Sequence, residues 1–345
     1  VTHRQRWQFM TSGGISLLIL LLAIINRKWL MDALSLMGRA NPFWLIVALV
    51  IIGVSYLISS QVFQVVLRTQ GYRMSIGRTW AIALIAIIVS QSVPAGGVGS
   101  YAFLVRMFNR HGVPTAKSTL VASLEMISYA TAMLLIFVFS LIYLAAHRLV
   151  LTIRWLQFVE LGLEITLALV MIGGIVFVVT RREETLTRWV LPPYHFVARL
   201  LRQQWDGTWP RRFVAEVVRG RSEVAQRWPD VALLVLFQLV ALSGHSLAML
   251  VILHSLGVTT NFAVVLTAFG IALITSTFNI LPGGGGTVEA MLVAVLSLLG
   301  VGAAAVAATI IFRLMNFWLL MPVAVACYHW LIHTPVVIHE IPMKQ

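Results

Sequence analysis

Charge is scarce in this sequence, and negative charge is scarcest. Asp and Glu number 12 against 25 Lys and Arg, and charged residues fill 11% of the 345 positions, where a soluble globular domain carries about a quarter. Cysteine occurs once, at Cys327, which excludes a disulfide framework and a thiolate metal cluster. Only three aspartates occur, Asp32, Asp206 and Asp230, and none is placed for a metal-dependent glycosyltransferase. GxxxxGK[ST] is absent, which excludes ATP hydrolysis on a P-loop, and HExxH and GxSxG are absent as well. The chain therefore reads as a non-enzyme with no cofactor.

What is present is apolar. Hydrophobic residues make up 59% of the chain and the mean hydropathy is +0.91. A soluble core of this length could not use so many without exposing large patches. The chain reads as an integral membrane protein with room for roughly eight spans of about 20 residues. The net charge of +13 fits basic loops against anionic lipid rather than nucleic acid. The basic start, Thr2 to Arg6, leads into apolar Ile15 to Ile25, and no small-residue cleavage site precedes Asn26, Arg27 and Lys28. This reads as an uncleaved first span.

Apolar stretches fall at about 13–31, 43–67, 79–93, 100–111, 115–145, 153–180, 231–255, 262–281, 287–299 and 303–333. Two glycine runs, Pro94-Ala95-Gly96-Gly97-Val98-Gly99 and Pro282-Gly283-Gly284-Gly285-Gly286, separate short stretches that mostly cannot cross a core of about 30 Å. These predict two re-entrant helical hairpins tipped by glycine; two kinked full spans are the alternative. Irregular backbone at that depth is tolerated only inside protein or beside a wet cavity. With re-entrant hairpins, 19 basic residues fall on one side and 5 on the other, or 9 against 5 without segment 181–229. The basic side, holding both termini, is then cytoplasmic, which predicts a multi-pass protein of the cell inner (plasma) membrane. Segment 181–229 mixes basic and apolar residues with Trp205, Trp209 and Trp228. It reads as an amphipathic stretch on the inner leaflet, or as the dock of a soluble partner.

A shift of 188 residues aligns the chain with itself without gaps. Pro94 meets Pro282, Gly96-Gly97 meets Gly284-Gly285, and Gly112-Val113 meets Gly300-Val301. The repeats cover about 43–145 and 231–333, and an odd number of crossings between them inverts the second. Inverted repeats with broken helices are a transporter architecture. The fold class predicted is an all-α polytopic membrane protein, one transmembrane domain over 1–345.

Glu125 falls on Arg313 in this alignment, each deep in a nearly uncharged span. A lone charge at that depth is unfavourable, so the two are expected to face the central cavity and to pair. Two readings stand: a structural salt bridge, or a substrate and gating site with Arg313 on a lipid phosphate. Each glycine run opens a short helix, at Ser100 and at Thr287. Helix starts attract anions, so Gly96, Gly97, Ser100, Gly284, Gly285, Thr287 and Arg313 form a candidate phosphate site; close helix packing is the other use of the glycines. Glu289 serves the helix dipole or binds a proton or cation, and Tyr101 is its counterpart. Glu160 and Glu164 read as interfacial, as do His329 and His333. Gln238 and His245 read as helix-to-helix hydrogen-bonding residues.

The stretches SQSVPAGGVGSYAFLVRMFNRHGV and NILPGGGGTVEAMLVAVLSLLGV, with IIFRLMNFWL after them, resemble the transmembrane region of lysylphosphatidylglycerol synthetases. The resemblance covers about 10–335 and rests on Leu281 to Glu289 followed by Arg313 and Phe317. In the multiple peptide resistance factor proteins this region resembles a flippase that carries aminoacylated phosphatidylglycerol to the outer leaflet. Only 334–345 follow the last span here, so the resemblance implies a free-standing member without the synthase domain. Other free-standing members are linked with hopanoid or glycolipid export. The expected partners are membrane lipids: an anionic or aminoacylated phospholipid, or a lipid-linked sugar. A membrane enzyme partner or a homo-oligomer is the further expectation. The function implied is lipid flipping without ATP hydrolysis, with Glu125 and Glu289 as gating or coupling carboxylates. The alternative is a non-transporting partner of a glycosyltransferase or other lipid-modifying enzyme.

The re-entrant topology makes a direct prediction. After replacement of Cys327, single cysteines flanking the first hairpin, near 78 and 110, label from the same side of the membrane. Labelling from opposite sides would mean a full crossing between them.

Overall fold

The structure, a computed structural model, describes residues 35, 37–92, 96–146, 184–188, 192, 228–277, 286–334 and 339–340. The expected spans at 13–31 and 153–180, most of segment 181–229, and Gly284 and Gly285 lie outside the described residues.

The elements in chain order are helix α1 (Pro42–Thr69), strand β1 (Tyr72–Arg73), and helices α2 (Ile76–Ser92), α3 (Gly96–Arg110) and α4 (Thr115–Ala146). Helices α5 (Trp228–Ser255), α6 (Phe262–Thr277), α7 (Thr287–Leu298) and α8 (Ala304–Arg313) follow. A π-helical turn (Leu314–Trp318) then joins α8 to α9 (Leu320–His333), and strand β2 (His339–Glu340) comes last. Four of these segments are long and apolar enough to cross a membrane: Pro42–Thr69, Thr115–Ala146, Asp230–Ser255 and Ala304–His333. With 17, 15, 16 and 12 residues, α2, α3, α6 and α7 measure roughly 18–26 Å at 1.5 Å per residue. Each falls short of a core of about 30 Å.

Local chemistry sets the ends. Asn41 caps α1, its side chain accepting from the Phe43 N–H at 3.0 Å, and Pro42 occupies the first turn, where its missing N–H costs nothing. At the end of α3 the Val113 N–H reaches the Phe108 carbonyl at 3.1 Å and the Gly112 N–H reaches Asn109 at 3.0 Å, with φ of Gly112 at 90°. The same glycine-terminated geometry recurs 188 residues later, where Val301 reaches Leu296 and Gly300 has φ 91°. The order α1–α4 thus repeats in α5–α9, turn for turn at this cap. One boundary differs from expectation. Helix α3 begins at Gly96 rather than Ser100, so the first glycine run lies within its opening turn. First-turn N–H groups have no intrahelical partner anyway, so glycine's poor helix propensity does not postpone the start.

Packing follows from burial on one face and apolar exposure on the other. On α1, Ala48, Ile52 and Tyr56 are buried while Phe43, Ile46, Val50, Val54 and Leu57 form an exposed stripe at helical spacing, the face a lipid tail would cover. The most extensive helix contact is α1 with α5, and α6 packs on both α4 and α7. Helix α2 packs on α3 and on α9. Small residues allow the close approaches. A Cβ at Gly244 of α5 would overlap the Ser55 side chain of α1, and one at Gly270 of α6 would overlap Ser140 and lie 2.9 Å from the Ile136 carbonyl of α4. Ser55 and Ser140 return their hydroxyls to their own helix backbones, leaving no unsatisfied oxygen at the contact.

Contacts between element ends fix which ends lie together. Asn41, before α1, donates its N–H to Ser255 at the end of α5 at 3.0 Å, so these helices run antiparallel. At the other end of α1, Lys117 of α4 donates to the Gln70 carbonyl at 3.1 Å and sits over the Tyr72 ring. Arg110 at the end of α3 donates to the Ile332 carbonyl of α9 at 3.1 Å. Tyr72–Arg73 pair antiparallel with His339–Glu340, Tyr72 opposite Glu340.

Gly270→Ala places a methyl against the Ile136 carbonyl, which cannot rotate away. A loss of about 1–3 kcal/mol of stability is expected, as for overpacked cores. Gly97→Ala, whose Cβ would meet nothing within 4 Å, leaves stability unchanged. Thermal unfolding in detergent checks both.

Candidate functional site

Arg313 ends α8, deep in the last span, and reaches two other elements. Its Nη1 donates to Gln91 Oε1 at 2.8 Å, and its Nε forms an ion pair with Glu289 Oε1 at 2.9 Å. The guanidinium also sits 4.6 Å from the centre of the Phe317 ring. Gln91 stands at the end of α2 and Glu289 in the first turn of α7. Arg313 therefore ties the end of α2 to the start of α7. Two edges of a planar fork suit this better than a lysine point charge.

The turn after Arg313 is π-helical, with the Leu319 N–H bonded to the Leu314 carbonyl five residues back at 2.8 Å. Such turns carry one extra residue and concentrate at functional positions. Here the turn buries Asn316 and Phe317. The Tyr56 hydroxyl of α1 donates to Asn316 Oδ1 at 2.6 Å, and the Tyr56 ring meets His245 of α5 edge-on at 4.9 Å.

Beside this cluster lies a cavity of about 350 Å³, within the common range for ligand pockets. Glu289, Thr309 and Arg313 border it, but its exposed lining, from residues such as Val293, Val306, Ile310, Leu314 and Trp318, is almost wholly apolar. Leu314 and Trp318 are also exposed on the outer surface. Two buried oxygens have no hydrogen-bond partner there, Glu289 Oε2 and Thr309 Oγ1. A buried acceptor without a donor is costly, and both can accept from a ligand N–H.

The expected pairing of Glu125 with Arg313 does not occur. Glu125 lies on α4, does not line the cavity, and makes no ion pair among the described residues. Positions related by the 188-residue shift are equivalent without being adjacent. Arg313 meets its partner within its own repeat, because α7 packs on α8. The counterpart in the first repeat is Tyr101 with Glu125, and there the tyrosine hydroxyl lies 3.2 Å from Ser123 Oγ.

Gly96 and Gly97 open α3, and Gly97 is exposed with space around it, so close packing is not its use. Ser100 is half-buried one turn on. Thr287 is the exposed first residue of α7, preceded by Gly286 at φ 79° without a side-chain cap. Gln238 accepts from Ser59 of α1 at 3.1 Å, the helix-to-helix bond expected of it, whereas His245 Nδ1 lies 2.8 Å from Ala241 O in its own helix. His333 likewise sits on His329 O. Among the described residues no cluster of His, Cys, Asp or Glu could hold a metal. Sequence reasoning missed Gln91, Thr309 and Asn316. Their only signal is polarity within otherwise apolar spans.

A double-mutant cycle distinguishes the two candidate partners of Arg313. Arg313→Gln and Glu289→Gln are expected to be non-additive in thermal stability, with a coupling of about 1–3 kcal/mol given their partial exposure. Arg313→Gln with Glu125→Gln is expected to be additive.

No curated protein matches the sequence. The family model for the lysylphosphatidylglycerol synthase TM region matches residues 9–324. That match spans nearly the whole chain, including both short helix pairs and Arg313, and the chain belongs to this family of membrane domains.

Proposed function

We propose that the protein moves a phospholipid between leaflets, passing the headgroup through the cavity at Arg313. The observation that carries this reading is the Arg313–Glu289 ion pair bordering a cavity whose lining is apolar. A phospholipid needs both: a cation for its phosphate and an apolar path for its chains. Membership of a lipid-related membrane family supports the same reading.

The phosphate competes with Gln91 and Glu289 for the guanidinium fork. Its arrival breaks the link between the two short helix pairs, so headgroup binding and helix-pair separation become one event. Glu289 Oε2 and Thr309 Oγ1 then receive N–H donors, which favours an aminoacylated or amino-bearing headgroup over a plain anionic one.

Alternating access is the companion of this reading, in an inverted pair of repeats with re-entrant hairpins. The antiparallel contact of α1 with α5 supports it. So do the contacts that gather the end of α1, the end of α3 and the start of α4 at one end of the bundle. A chain that leaves along α2 and returns along α3 to the same end supports a hairpin that re-enters rather than crosses. The charge bias supports a cytoplasmic side for that end in a plasma-membrane protein.

In reconstituted vesicles, movement of a fluorescent phosphatidylglycerol falls about tenfold or more in Arg313→Lys, the loss typical of a hydrogen bond to a charged group. Thr309→Val slows an aminoacylated lipid more than phosphatidylglycerol itself. Unchanged rates in Arg313→Lys would remove the phosphate assignment. Wild-type protein that moves no lipid would favour a role as partner of a lipid-modifying enzyme.

A further inference from the structure

Glu125 is the charged side chain that the cavity mechanism leaves unused. It lies ten residues into α4, roughly 15 Å along the helix, which is half the thickness of a hydrocarbon core. Its carboxylate has no hydrogen bond or ion pair among the described residues; the one bond to this residue goes to its backbone carbonyl, from Ser128. A carboxylate there costs several kcal/mol when ionised and alone. A partner cation or a bound proton relieves that cost, and no cation pairs with Glu125 among the described residues.

The helices packed on α4 carry several titratable groups. Tyr129 lies one turn on from Glu125 along the same face of α4, and α4 packs on α1, which carries Tyr56. Tyr56 bonds Asn316, three residues after Arg313. From α3 comes Tyr101, with its hydroxyl at Ser123. From α5 comes His245, against the Tyr56 ring. Helix α6, the most extensive neighbour of α4, carries no titratable side chain. Lys117 is two turns away at the helix end, on the Gln70 carbonyl. Glu125 and Tyr129 on α4, Tyr56 on α1 and Asn316 just after Arg313 thus stand on elements that pack together.

We propose that Glu125 is a proton-binding site whose occupancy is coupled through Tyr129, Tyr56 and Asn316 to the Arg313 cavity, so that a proton gradient drives lipid movement. The coupling rests on the translocation reading; the proton site does not. The proton enters onto a carboxylate oxygen from water and leaves by the same oxygen, with no other bond changed. Glu289 is less suited, because its ionised form is held by Arg313.

Two measurements on the full chain in phosphatidylcholine vesicles test this. Infrared difference spectra between acid and alkaline pH are expected to show a carboxylic-acid carbonyl band. Glu125→Gln removes the band, Glu125→Asp retains it at a shifted frequency, and Arg313→Gln displaces its pH midpoint. A band that survives in Glu125→Gln, or no band in the wild type, overturns the site. The second measurement follows a fluorescent phospholipid under an imposed proton gradient. Wild-type movement accelerates several-fold, whereas Glu125→Gln moves lipid at one rate with or without the gradient. An unaltered gradient response in Glu125→Gln overturns the coupling. If the wild type moves no lipid while the band stays specific to Glu125 and sensitive to Arg313, the proton site stands and the translocation reading falls.

Discussion

Arg313 holds the two halves of the molecule at one point. Its guanidinium bonds Gln91 from the first short helix pair and Glu289 from the second, and the cavity, the π-helical turn and the Tyr56–Asn316 bond are arranged around it. A cation at that depth is expensive, and only an arrangement that brings an acid and a neutral acceptor to it makes the site tolerable. The short helices answer that constraint. The end of α2 and the first turn of α7 each deliver one side chain to Arg313.

A second constraint is the satisfaction of backbone groups away from water. Helices meet it internally, which frees side chains to decide how closely helices approach. The α1–α5 and α4–α6 contacts use glycine against serine, with each hydroxyl folded back on its own helix. Among the described residues, polar bonds between helices include Ser59 with Gln238, Tyr56 with Asn316, Tyr101 with Ser123, Arg110 with the Ile332 carbonyl, and the Arg313 cluster. The periphery is left to apolar stripes such as Phe43 to Leu57 on α1.

Much of this was legible in the sequence. The limits of α1, α4 and α5 follow from where apolar runs meet Asn41-Pro42, Pro114 and the polar residues after Ser255, because caps and proline act locally. The recurrence of element order was visible in the glycine and proline matches, since backbone turns that need a left-handed residue leave a mark. The partner of Arg313 was not visible. Repeat alignment reports equivalence, and contact depends on which helices pack, which Glu289 and Arg313 settle within one repeat. Gln91 and Thr309 were opaque for another reason. A lone amide or hydroxyl in a span can bond its own backbone, as Ser140 does, or face a cavity, and spacing does not separate these uses. The start of α3 was misplaced by four residues because glycine's low propensity carries little weight in a first turn.

The π-helical turn at Leu314–Trp318 leaves the last span with a built-in slack of one residue. Helical periodicity makes most spans intolerant of length change, since removing one residue turns everything beyond it by about 100° and carries lipid-facing side chains into the core. Here the surplus residue is already confined to a single turn between α8 and α9. A lineage could shorten the chain at that turn and keep both flanking helices in their present orientation, converting the turn to an ordinary one. Only the inward aim of Asn316 and Phe317 would change. The last span therefore carries a position where the length of the sequence can vary separately from the register of the bundle.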